Sequence, residues 1–145
     1  MIKCFKRFDH SFTNAPQKVV SSTTTSYGVD TNWYVDLGAT DHVTSKLDKL
    51  TLREKYGRHD QVHSSSGVGM KINHIGSSVL HTPSSNIHLN KILHVPKATK
   101  NLLFVNRLAR DNNAFLEFHP SYFSIKEQGM RKTLLSGTCE GGFIR

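Results

Sequence analysis

Trp33-Tyr34-Val35-Asp36-Leu37-Gly38-Ala39-Thr40-Asp41-His42-Val43-Thr44 is the stretch that decides the fold of this 145-residue chain. Two aromatic residues and a β-branched one open a strand that runs into Asp36 and stops at Gly38. Upstream, residues 1–10 are basic and aromatic, and residues 11–32 are polar around Pro16 with little hydrophobic periodicity. That composition predicts a linker, so organised structure is expected to begin at Trp33.

Downstream, residues 45–58 are charged and interrupted. They predict an irregular connection or short helix anchored inward by Leu47, Leu50 and Leu52. From Asp60 onward, short apolar alternations recur at Gln61-Val62-His63, Met70-Lys71-Ile72, Ser78-Val79-Leu80-His81 and along residues 87–95. Gly67, Gly69, Gly76 and residues 83–86 are read as the turns between them. Residues 101–110 begin as a buried strand and finish as a helical turn, after which residues 114–119 and 122–126 alternate as the two arms of a hairpin. Thr133-Leu134-Leu135 continues the pattern. Several short strands at this spacing predict an all-β barrel or sandwich.

Composition narrows the function classes. One modest core fits in a chain of this length, and two do not. The formal charge of +8 favours polyanions, but apart from Lys91, Lys97, Lys100, Arg107 and Arg110 the excess is spread thinly. It predicts a solvated surface with at most weak nucleic-acid contact. Two cysteines, Cys4 and Cys139, do not make a disulfide framework. The first ten residues lack the apolar core of a secretory signal, and nothing approaches the roughly 20 apolar residues of a bilayer span. A soluble protein in a reducing compartment, cytoplasmic or nuclear, is the expectation, with no membrane partner.

With these residues in view, the chain resembles the protease segment of copia-type retrotransposon polyproteins. Asp36, Gly38, Ala39, Thr40, His42 and Thr44 match that family's opening motif. Residues 92–103, with Val95-Pro96 and Asn101-Leu102-Leu103, resemble its later block. Residues 4–11 look like the end of a gag-type zinc knuckle, and residues 139–143 like the entrance to the pre-integrase region. The expected organisation is a flexible leader over residues 1–30, a protease-like domain over 31–136 and a tail over 137–145, as in a piece cut from a polyprotein.

The resemblance implies a mainly β fold, a small closed β-barrel of retropepsin-like type with one short helix. It implies hydrolysis of a polyprotein peptide bond, with Asp36 as the catalytic residue and Leu37, Gly38, Ala39 and Thr40 as its loop. Such chemistry needs two carboxylates about 3 Å apart sharing one proton, because both cannot ionise. One Asp-x-Gly per chain then requires a homodimer with Asp36 from each copy. Gly67, Val68, Gly69 and Met70 would belong to a flap over an extended peptide substrate. No metal or organic cofactor is implied. The family has Ser or Thr after the catalytic Asp, where its hydroxyl braces the paired loops. Leu37 cannot make that bond, so cleavage is expected to be weak or absent. The alternative is an inactive fragment that serves as a folded or weakly nucleic-acid-binding module.

Other chemistries find less support. Cys4 with His10, His59 with His63 and His88 with His94 lack the spacing of common zinc sites, and the nine histidines are read as dispersed surface groups. Phe5, Phe8 and Tyr27 lie near basic residues as a stacking surface would require, without a complete recognition motif. No Gly-x-Ser-x-Gly elbow is present.

Overall fold

A computed structural model describes residues 33–140 and 143–144. The leader with Cys4, Phe5, Phe8 and Tyr27 lies outside them. The chain opens with β1 (Trp33–Asp36), β2 (His42–Thr44), a 3-10 turn at Leu47–Lys49 and β3 (Leu52–Lys55). Next come β4 (Gln61–His63), β5 (Gly69–Lys71), β6 (His74–His81), β7 (Asn86–His94) and β8 (Asn101–Phe104). Helix α1 (Val105–Asp111) leads to β9 (Ala114–Phe118), β10 (Tyr122–Glu127), β11 (Thr133–Glu140) and β12 (Phe143–Ile144).

The described residues form three sheets. Six strands lie in the order β1-β8-β2-β7-β6-β3, four in the order β12-β11-β10-β9, and β4 with β5 forms a separate hairpin. The fold is mainly β with one short helix, as the residues indicated. The six-stranded sheet is a half-barrel: β1 and β3 stand at opposite edges and are not joined, so the expected full closure is not seen. Strand alternation specifies which side chains face inward, but not whether the two edges meet.

The six-stranded sheet is covered on both faces. On one, Val35, Leu89, Ile92 and Leu103 pack with Leu108 of α1 and with Phe123, Ile125 and Leu134 of the four-stranded sheet. On the other, Val43, Leu93, Val95 and Ile72 receive Val62 and Met70 of the hairpin. Fully burying a side chain of this size contributes about 1.5–3 kcal/mol. The first cluster holds most of the fully buried residues, whereas the hairpin is held by half-buried ones. The hairpin is therefore the less firmly held layer.

Strand β7 shows how one sequence serves both faces. Ile87 and Leu89 are buried while His88 and Asn90 are exposed. Asn90 and Lys91 then stand opposite the single residue Ser77 in a bulge, where Lys91 has φ 55°. Beyond it Ile92, Leu93, His94 and Val95 are all buried.

Four local expectations need correction. Leu52 is not an inward anchor but 71% exposed. It begins β3, an edge strand whose four residues are all exposed and which pairs with β6 along its length. Gly69 and Gly76 are not turn residues but lie within β5 and β6, so only Gly67, at φ +82°, serves a turn. The helical turn after β8 extends to seven residues. The histidines are not all at the surface, since His42 is fully buried and His94 nearly so.

Candidate active site

Asp36 ends β1 in parallel register with Phe104 of β8. Residues 37–41 then turn back to β2, but β8 lies between β1 and β2. The loop therefore bridges the end of β8 instead of closing a hairpin. Its first turn is an Asx-type closure in which the Gly38 N–H donates to Asp36 Oδ1 at 2.6 Å. The Asp36 residue is half-buried. Leu37 is 53% exposed. It lines an apolar groove of about 460 Å³ with Phe104, Val105, Ala109 and Phe115. Ala39 is half-buried and Thr40 exposed.

The far end of the loop is pinned by longer-range bonds. Arg107 on α1 reaches Asp41 Oδ1 at 2.9 Å and the bulged Lys91 carbonyl at 3.4 Å. His42 Nδ1 accepts the Phe104 N–H at 2.9 Å. This places the hydrogen of the neutral ring on Nε2, which has no partner among the described residues. Burial first and the Arg107 charge second hold the His42 pKa down at about 4, against the smaller opposing pull of Asp111 and Asp41. Thr44 donates to Asn101 Oδ1 at 2.7 Å in a buried pair, and its oxygen accepts the Lys46 N–H. Asn112, just past α1, pairs its side-chain amide with the N–H and carbonyl of His88, fastening the helix to β7.

The two stretches that carried the resemblance are thus one bonded unit. Asp36 pairs with Phe104, Val43 with Leu102, and Thr44 with Asn101. Sequence reasoning picked out Asp36, Leu37, Gly38, Ala39 and Thr40, and the structure gathers them at the end of β1. It missed the support that Asp41, His42, Arg107 and Asn101 provide. His42, Thr44 and Asn101 stood within the quoted motifs, whereas nothing local marks Arg107.

Val35 and Leu103 face the main core and Leu102 faces the second cluster. By alternation, Asp36 points to the side of Leu102, where the β4–β5 hairpin packs. Gly67 and the 62%-exposed Val68 form the hairpin tip, while Gly69 and Met70 belong to β5. The tip's bonds run within the hairpin, from Ser64 N–H to the Val68 carbonyl and from Gly67 N–H to the Ser64 carbonyl. The candidate flap and Asp36 therefore share a face, but the structure does not bring the tip into bonded contact with the loop. Among the described residues no three His, Cys, Asp or Glu side chains gather as a metal site requires. Nor is any described helix long and apolar enough to cross a membrane.

Residues 33–114 match the family described as Pol polyprotein, beta-barrel domain, and the chain belongs to that family. It is similar to the retrovirus-related Pol polyproteins from transposons RE2 and RE1 of Arabidopsis thaliana, each 40% identical over 106 residues. That stretch is 73% of this chain and 7% of each relative, so the chain spans a small part of their length. It is a retrotransposon Pol polyprotein β-barrel domain. No solved structure matches it.

Proposed function

We propose that this chain is the aspartic-protease half-site of a copia-type Pol polyprotein, and that Leu37 leaves its peptide-bond cleavage weak or absent. The observation that carries the proposal is the Asp36 carboxylate, held at Oδ1 by the Gly38 N–H on a loop that bridges β8. In a homodimer, two such carboxylates would share one proton. One would take a proton from water as it attacks the scissile carbonyl, and the other would protonate the carbonyl oxygen. The hairpin on the same face, with Gly67 and the exposed Val68 at its tip, supports an extended peptide as substrate.

Leu37 works against that pairing. Its exposed isobutyl group follows Asp36 where the resemblance expects a bracing hydroxyl. Polar groups left unpaired in a dry contact cost about 1–3 kcal/mol each. A reacting group displaced by about 1 Å loses on the order of 100-fold in rate. Sedimentation velocity at micromolar concentration tests the half-site directly. A reversible monomer–dimer equilibrium is expected, and a strict monomer, having no second carboxylate, would refute it.

A further inference from the structure

His74 opens β6 and His94 closes β7, directly opposite each other in the antiparallel pair. Their Nδ1 atoms are 3.0 Å apart and their ring centroids 5.2 Å apart. At that distance the two nitrogens share one hydrogen, which needs one Nδ1 bare. Two protonated rings would face N–H to N–H, with no bond and two like charges in contact.

The surroundings give the second charge no relief. Across β3, Lys55 stands opposite His74, and Arg53 alternates to the same side while Glu54 turns away. Across β2, the neutral Thr44 stands opposite His94. Burial, the His74 charge and Arg53 all favour neutral His94, and only the Ser45 backbone favours its proton. Tyr56 and Asp60 are bonded to each other at 2.9 Å. On the hairpin, His63 and Lys71 are exposed, and His59 precedes β4.

The pair also stands at the root of the hairpin. Only Ile72 and Asn73 separate β5 from His74. Asn73 donates its N–H to the His94 carbonyl at 2.9 Å and accepts the Tyr56 N–H. Any separation of the two imidazoles therefore strains the bonds that seat the hairpin on the sheet.

We propose that His74 and His94 form a proton-sensitive clasp at the base of the β4–β5 hairpin, closed with at most one proton between them in excess of neutrality and opened by the second. The clasp is independent of whether the chain cleaves peptides. Acidification through the imidazole range frees the hairpin while the rest of the sheet stays folded.

The test is amide hydrogen exchange of the full chain at about pH 7.5 and about pH 5, corrected for intrinsic rates, beside the variant His74→Gln. Relative to β10, which reports the loss of global stability, exchange over residues 61–73 should quicken by about tenfold or more in the acid sample, the ratio one pKa unit produces. In His74→Gln the acid response should vanish. The loss of global stability tied to His42 is common to the whole sheet and to His74→Gln, so the ratio to β10 removes it. An unchanged hairpin, or a response that survives His74→Gln and so belongs to His59 or His63, overturns the proposal. Should the variant fail to fold, imidazole NMR titration of the unaltered chain decides. Coupled two-step titration of His74 and His94 supports the clasp, and independent single-step curves overturn it.

Discussion

The Phe104 N–H donates to the ring of His42 at 2.9 Å, so a side chain from the end of the Asp36 loop completes the hydrogen bonding of the strand beside Asp36. Because the folded pKa of His42 is about 4 and its ordinary value 6.5, the unfolded chain binds more protons between these limits. Stability is therefore lost as pH falls from 6.5 toward 4, by on the order of 3 kcal/mol, and levels off below. The depressed pKa of His94 acts in the same direction. Urea midpoints at about pH 7 and about pH 4.5 measure the loss. His42→Leu should be less stable at neutral pH, by about 1–3 kcal/mol for the orphaned Phe104 N–H. Its acid-induced loss should be visibly smaller.

Arg107 and Asp41 should move the same proton in opposite directions. The Arg107 charge lowers the His42 pKa and the Asp41 charge raises it. NMR titration of His42 is expected to shift upward in Arg107→Met and downward in Asp41→Asn. A common direction would show that the two substitutions act by disturbing the loop and not through their charges.

Gly76 of β6 stands opposite Arg53 of β3. A Cβ there would sit 2.0 Å from the Leu52 carbonyl oxygen and 3.1 Å from Arg53 Cα, both backbone atoms. Gly76→Ala is expected to cost about 1–3 kcal/mol and to raise amide exchange over residues 52–55. Gly69→Ala meets the end of the Gln61 side chain, which can swing aside, and otherwise only His63 Nε2 at an ordinary 3.5 Å, so its thermal midpoint should stay near that of the unaltered chain.

These contacts explain which parts of the fold could be read from the residues. The β1 strand, the β7 run and the β9–β10 hairpin announce themselves because apolar side chains mark their buried faces. Strand β3 does not, because Leu52-Arg53-Glu54-Lys55 buries nothing and is held by backbone pairing with β6. Gly76 is ambiguous in sequence, since a turn and a close approach both call for glycine. The loop was legible through Asp36 and Gly38, but its supports lie 62 and 66 residues away at Phe104 and Arg107. No local pattern signals such a pairing. Without metal-ligand spacing His42 and His94 look like dispersed surface groups in sequence, and only the bonds they make in the folded chain show them held inside.

The most direct test of the half-site is peptide cleavage at mildly acid pH by the unaltered chain, by Leu37→Ser, and by Leu37→Ser combined with Asp36→Asn. Restoring the hydroxyl should raise the rate by on the order of 100-fold, the scale of a corrected loop position, and removing the carboxylate should return it to background. Equal rates with and without Leu37, or cleavage that persists without Asp36, would contradict the account.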